Sequence, residues 1–482
     1  MSSVPQDAAG DHDGAGTQRS DLARFREVFY GCLSARADAQ FELTDALLCA
    51  DGPVRSLVDL SLAPEHRRGH GALYDGLNHG AIEIARLRRG VAGLPLPRVG
   101  DRIVLAADVS PWLRPDAETS PQRLFCHVHG RAKGNAQMIP GWPYSVVAAL
   151  GSGRSSWTAV LDAVRLGPAD DATAVTAAQL REAVDRLRGA GHWRPGDPTI
   201  WVVLDSGYDV CRLAFLLADL PVMLIGRLRS DRVLARPVEP RCGARGRPRR
   251  HGPLLFLADP ATWPGPEHTS STDTTRYGTA QARAWHRCHP RLEHRGPWRD
   301  HPGQLPIIEG TLIRLQVAHL PGDRAPKPLW LWTSDPAAAG ADVDRAWQAF
   351  LRRFDLEHTF RFLKQTLGWV RPKLRDPAAA DRWTWLVIAA HTQLRLARDL
   401  TIDLRRPWER PCPAGRLTPT RVRRGFRHLR AKITIPASAP KPHRPGPGRP
   451  AGVPNQHRAP RHDVGKTVTR AHAKTVKQPI KG

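Results

Sequence analysis

Leu22, Phe25, Phe29 and Leu33 recur at intervals of three and four, the spacing that places apolar side chains on one face of a helix. Asp45-Ala46-Leu47-Leu48 continues that period, and Pro53–Leu60 and Gly71–Arg89 read as two further helical stretches. Residues 21–97 are therefore expected to form a helical domain. After it the period changes. Arg102–Val109, Leu124–His129 and Ser145–Ala149 are apolar runs of strand length, while Trp157–Leu166 fits either an edge strand or a short helix. Ala177–Leu187 is a helix with a polar face, Thr199–Leu204 a buried strand, Tyr208–Leu217 a helix and Val222–Arg227 another strand. Strands followed by a strand–helix–strand unit predict an α/β fold, with a mixed sheet flanked by helices.

From 228 to 342 the chain is punctuated by Gly and Pro. Thr311–His319 alternates, Pro321-Gly322-Asp323 turns and Pro328–Thr333 returns, so a hairpin is expected inside a β-rich insertion rather than in a continuation of the sheet. Trp330 and Trp332 share one face of its second strand, where core packing is the commoner use of tryptophan. Phe350–Trp369 has no Gly or Pro before Gly368 and reads as one helix. Leu356, Phe360, Leu363 and Leu367 form its apolar stripe. At about 100° per residue, Phe350, Arg353, Glu357 and Lys364 fall within an arc of roughly 60° beside it. Arg382–Leu400 is a second amphipathic helix. The chain thus divides into a disordered start (1–20), the helical segment (21–97), an α/β core in two parts (98–227 and 343–403) split by the insertion (228–342), and a largely disordered tail (404–482).

Charge narrows the function. The 482 residues carry a net charge of +26, which calls for polyanionic company, and nucleic acid fits through steering and counterion release. No apolar run approaches the roughly 18 residues of a membrane span, so no membrane role is expected. The acidic, small-residue start has no secretion-signal pattern. The seven cysteines are scattered without a CxxC pair, which suits reduced thiols in a cytoplasmic protein. Cys126-His127-His129 and His286-Cys288-His289 lack the paired spacing of a zinc site. Arg245, Arg247, Arg249 and Arg250 form an Arg-Gly-Arg-Pro run resembling an AT-hook core that could enter a narrow minor groove, and Gly448-Arg449-Pro450 is a second such candidate. From Arg421 to Lys481 there are 16 Lys and Arg against the single acid Asp463, a source of sequence-independent affinity for DNA. Arg67, Arg68, Arg86, Arg88 and Arg89 tilt the helical segment toward DNA recognition.

Candidate chemistry rests on three acids. In α/β sheets function collects at the carboxyl ends of strands. Asp108 ends RIVLAAD and Asp205 ends TIWVVLD, each reading singly as a turn or cap residue equally well. Asp209 is a rival to Asp205, expected inside the following helix. Glu357 is the only acid on the polar stripe, set between Arg353 and Lys364. The spacing of that stripe resembles Tyr-x2-Arg-x3-Glu-x6-Lys, the signature of the IS4-type (IS701-like) DDE transposases, with Phe350 where the family has Tyr. The resemblance covers roughly residues 100–370 and extends to acid placement: one at the first strand, one after a later strand, one on a long helix beyond a β-rich insertion.

That resemblance implies a ribonuclease H-like catalytic domain in which Asp108, Asp205 and Glu357 hold two Mg²⁺ ions, with Mn²⁺ able to substitute. It implies Arg353 and Lys364 as phosphate-binding groups, and Arg227, Arg229 and Arg232 as contacts to the DNA end. The activity implied is that of a transposase: metal-dependent hydrolysis at transposon ends, then joining of the 3′-hydroxyls to target DNA by a dimer in a prokaryotic cytoplasm, at the nucleoid. The alternatives are a non-catalytic DNA-binding protein derived from a transposase, and a ribonuclease H-like nuclease that cuts without joining.

Overall fold

The computed structural model describes residues 11–129, 136–153, 156–238, 249–320, 326–413, 415–441, 452 and 459–465. The chain divides into two compact units. The first comprises residues up to Arg165 together with Glu182–Pro198 and Arg352–Val464, and the second Leu166–Arg181 and Thr199–Leu351.

In chain order the elements begin with α1 (Asp11–Gly31), β1 (Leu33–Ala35), α2 (Ala37–Cys49), α3 (Leu57–Ser61), α4 (His70–His79), β2 (Ala81–Ile82) and α5 (Ile84–Ala92). Next come β3 (Val104–Leu113), β4 (Leu124–His129), β5 (Ala136–Leu150), β6 (Thr158–Arg165), α6 (Ala172–Gly189), β7 (Ile200–Leu204), α7 (Val210–Leu216) and β8 (Val222–Leu228). The β-rich stretch supplies β9 (Val233–Ala235), β10 (Leu254–Phe256), β11 (His268–Thr274), β12 (Gly278–Cys288), β13 (Gly310–Val317) and β14 (Leu329–Thr333). Four helices finish the chain: α8 (Gly340–Leu351), α9 (Phe354–Gln365), α10 (Pro377–Leu396) and α11 (Pro419–Arg430).

In the first unit, α2 is buried along its whole length from Ala39 to Cys49, because α4 and α3 cover it on one side while α10 and α11 pack on it as well. The buried Arg26 of α1 donates to both oxygens of Asp45 on α2, at 2.7 and 3.0 Å, and to Gln393 Oε1 on α10 at 2.6 Å. The helical segment 21–97 therefore shares a core with helices from the far end of the chain. α1 already begins at Asp11, within the stretch expected to be disordered; residues 1–10 lie outside the described residues. α10 starts earlier than its periodicity implies, because Asp376 caps the Ala378 amide at 3.2 Å and Pro377 occupies the first turn, where a missing N–H costs nothing. The sheet of this unit is antiparallel. β5 pairs with β3 along one edge and with β4 and β6 along the other. The stretch Trp157–Leu166 is thus a strand.

The sheet of the second unit runs β11-β12-β13-β14-β8-β7, and only β8 and β7 are parallel. This corrects one expectation. The β-rich stretch continues the sheet, because β14 pairs with β8 in the register Trp332↔Gly226 and Trp330↔Leu228. The hairpin of β13 and β14 is present, and its turn, Pro321-Gly322-Asp323, lies outside the described residues. Trp330 and Trp332 are buried: the first meets Trp263 and Trp285 at centroid distances of 5.1 and 5.8 Å, and the second donates to Cys288 O at 2.9 Å. α7 lies directly on β8, where a Cβ at Gly226 would come within 2.6 Å of Val210.

Two expectations about the end of the chain change. Phe350–Trp369 is two helices, α8 and α9, separated by a turn at Arg352–Arg353. The Arg352 guanidinium donates to the carbonyls of Gly151 and Gly153, each at 2.7 Å, and the next amides bond only three residues back, as in a tight turn. The tail is also partly folded. α11 buries Val422 and Phe426, and Arg423 donates to the carbonyls of Leu47 and Gly52. Arg421, Arg424, Arg427 and Arg430 pair with Asp403, Glu409, Glu65 and Asp45. Those cations are occupied inside the protein, so they add less to DNA affinity than the bare count suggests. Most of the tail beyond Lys441, including Gly448-Arg449-Pro450, lies outside the described residues. Among the described residues no helix is long and apolar enough to cross a membrane.

Candidate active site

The apolar face of α9, made of Leu356, Phe360 and Leu363, packs on β3, β5 and β6. The polar residues one turn apart on α9 are thereby held over β3. Asp108 lies in the middle of β3, paired with Val146 of β5, and not at the strand end expected from the sequence. β3 runs on to Leu113 because the long β5 offers partners as far as Gly141.

Arg353 joins the two elements. Its Nη1 donates to Asp108 Oδ2 at 3.1 Å and its Nη2 to Glu357 Oε1 at 2.6 Å. The arginine side chain is only 5% exposed, against 21% for Asp108 and 47% for Glu357. One buried cation is thus shared by two carboxylates and offsets one of their two charges, while Asp108 Oδ1 accepts the Val109 amide at 2.8 Å. Both terminal nitrogens of Arg353, the residue expected to bind phosphate, are engaged with carboxylates here.

Lys364, the second residue expected to bind phosphate, is also engaged within the protein. Its ammonium donates to the Pro111 carbonyl at 3.0 Å and lies 5.8 Å from the centre of the Trp369 ring. Burial pushes it down to about 8, with the nearby charges of Cys126 and Asp108 acting in the opposite direction. Phe350 belongs to α8 and is 2% exposed, so it leaves the polar stripe and packs in the core.

In the second unit Asp205 follows the last residue of β7, as expected, and its Oδ1 is buried without a hydrogen bond among the described residues. Arg227 Nη1 approaches that oxygen to 3.9 Å. Asp209 is the N-cap of α7 and accepts the Arg212 amide at 3.0 Å, a structural use outside the helix body where it was expected. Beside them lies a groove of about 930 Å³ lined by Arg212, Arg227, Arg229, Arg232, Arg291 and Arg295. Arg212 is tied to Asp171 at 2.7 Å and Arg295 to Glu293 at 3.1 Å, while Arg227, Arg229 and Arg232 are exposed. Arg291 and Arg295 were not singled out from sequence; their only signal was spacing after the strand that ends at Cys288. Arg245 and Arg247 lie outside the described residues, Arg249 is exposed, and Arg250 donates to the Leu305 carbonyl.

Among the described residues no group of three or more His, Cys, Asp or Glu gathers as a metal cluster. In the two cysteine–histidine runs Cys126 and Cys288 are buried, and His289 Nε2 meets His251 Nδ1 at 3.0 Å. The donor set that suits a hard divalent cation is Asp108 with Glu357. Magnesium binds through one or two carboxylates and completes its shell with water and substrate phosphate, and both side chains are open to water.

A family model described as DDE superfamily endonuclease matches residues 28–291, more than half of the 482 residues. The matched span contains Asp108 and Asp205 and ends before Glu357. No curated protein matches the chain. The mixed sheet flanked by helices is consistent with a ribonuclease H-like DDE nuclease fold.

Proposed function

Because the chain belongs to the DDE superfamily endonucleases, we propose that it cuts DNA phosphodiester bonds with Asp108, Asp205 and Glu357 as its metal-holding carboxylates. The observation that carries this reading is the Asp108–Arg353–Glu357 bridge, which joins a strand acid and a helix acid 249 positions apart in sequence. The resemblance to the IS4-type transposases narrows the reading to cutting at transposon ends and joining of 3′-hydroxyls to target DNA.

In this reading Asp108 and Glu357 present oxygens to a divalent ion, Mg²⁺ or Mn²⁺, and Asp205 is the third carboxylate. When bound, such ions supply an activated attacking oxygen and a stabilised leaving oxygen. Arg353 holds both carboxylates in place and offsets part of their charge when no metal is there. Lys364, anchored on Pro111, adds positive potential near Asp108. Arg227, Arg229 and Arg232 hold backbone phosphates, Arg through its planar fork. Cutting paired ends calls for a dimer, acting at the nucleoid of a prokaryotic cytoplasm.

The test uses duplex DNA taken from the sequence on either side of the coding region, with Mg²⁺ or Mn²⁺. Asp108→Asn, Asp205→Asn and Glu357→Gln are each expected to lower cleavage by more than the roughly 10–100-fold that loss of an outer-shell partner costs. DNA affinity should stay within a few-fold, since it comes from phosphate contacts elsewhere. Cleavage retained in Asp205→Asn and lost in Asp209→Asn would replace the second acid. Cleaved ends that never join to a target plasmid would make the protein a nuclease, and DNA binding without any cleavage would favour the non-catalytic alternative.

A further inference from the structure

Residues 401–410, in the first unit, form a turn that holds its acids inward and its apolar side chains outward. Asp403 accepts Arg421 at 3.0 Å. Glu409 accepts Arg424 through two bonds of 2.6 and 3.0 Å and the Arg406 amide at 2.9 Å. With its backbone fixed in this way, the turn exposes Ile402 by 62% and Trp408 by 76%. A lone exposed apolar residue needs no explanation. This ring, however, stands on a turn braced by ion pairs from α11, so its exposure is built in and does not come from a slack loop. The Arg406 guanidinium sits 5.6 Å from the centre of the Trp408 ring. Arg405, whose Nη1 donates to the Glu409 carbonyl at 3.3 Å, and Arg410 are exposed in the same turn, and both acids of the turn are paired with α11.

We propose that Trp408, flanked by Arg405, Arg406 and Arg410, is a stacking post for an unpaired base of a DNA single strand. The aromatic face takes the base and the guanidinium groups take the neighbouring phosphates, the combination that serves sequence-tolerant single-strand binding. Three cations beside a ring with no unneutralised acid in the turn match a polyanion. The inference rests on the DNA-cutting reading for its biological context, but its test needs no cleavage.

The full chain and its Trp408→Ala, Trp408→Phe and Arg405→Ala/Arg410→Ala variants are titrated, in chelator, onto labelled oligo-dT and onto a duplex of equal length. Trp408→Ala is expected to weaken oligo-dT binding by about 5- to 150-fold, the range found for loss of one base–aromatic stack, with duplex binding unchanged. Trp408→Phe should keep most of the affinity. The double arginine variant should flatten the dependence of log affinity on log salt by roughly 0.7 for each phosphate that is no longer neutralised. An unchanged melting temperature shows that the fold is intact. Oligo-dT affinity unaltered in Trp408→Ala would overturn the proposal. So would loss of self-association with single-strand binding intact, which would assign the ring to a protein interface. Because no metal is present, either result is separate from failure of the cleavage reading.

Discussion

Replacing Arg353 by Met tests the central bridge directly. Met fills much of the volume of the arginine stem and cannot donate, so the change removes charge and hydrogen bonds with little cavity. The bond to Asp108 joins a 5% exposed cation to a 21% exposed acid. A charge-assisted hydrogen bond of that kind contributes about 1.5–3 kcal/mol. The bond to Glu357 is an i,i+4 pair with an acid 47% exposed, and solvent screening reduces it to about 0.3–0.5 kcal/mol. The variant should therefore lose about 2–3 kcal/mol in chelator, and repulsion between the two carboxylates left behind adds to this. A divalent ion binding only the folded state restores stability by mass action. In the parent protein that ion draws on charge the guanidinium already neutralises, whereas in Arg353→Met it does not. The melting temperature should fall by several degrees in chelator, and millimolar Mg²⁺ or Mn²⁺ should raise it more in the variant than in the parent. Combining the change with Glu357→Gln in a double-mutant cycle isolates the pair. A variant as stable as the parent in chelator, or one that gains no more from metal, would refute the reasoning.

Other expectations follow from buried groups. Phe350→Tyr would bury a hydroxyl in the core and should cost about 1–3 kcal/mol with no gain in cleavage; faster cleavage at unchanged melting temperature would return this ring to the DNA-facing stripe. His391 is buried on α10 between Trp157 and Phe362, its ring nitrogens have no hydrogen-bond partner among the described residues, and burial pushes it down to about 3. The fold keeps it neutral while the unfolded chain protonates it below about 6.5, so stability should fall as pH drops through the window from about 6.5 to 3, by about 2 kcal/mol between pH 7 and 5. Urea melts should show that slope in the parent and a flatter one in His391→Leu; equal slopes would contradict the assignment.

The sequence by itself determined the α/β class, the strands β4, β7, β8, β13 and β14 with their approximate ends, and the spacing that sets Arg353 about one helical turn from Glu357. These depend on local period and on spacing within one helical turn. Asp205 was legible as a strand-end acid because the apolar run of β7 stops at Leu204. Asp108 was not, since the length of β3 is set by β5, whose residues Gly141–Ser145 pair with it beyond the acid. The break between α8 and α9 contains neither Gly nor Pro, so its cause is not local: it is pinned by Arg352 on carbonyls 199 and 201 positions away. Whether the hairpin of β13 and β14 stood apart or extended the sheet turned on the free edge of β8, which no pattern inside the hairpin records. The partners of Arg353 were decided the same way. Its spacing to Glu357 suits a phosphate clamp and a carboxylate clamp equally, and only the fold brings Asp108, 245 positions earlier in the chain, to its other nitrogen. Periodicity reports which face of an element is apolar, but the partner that face and its neighbouring charges meet is a property of long-range packing.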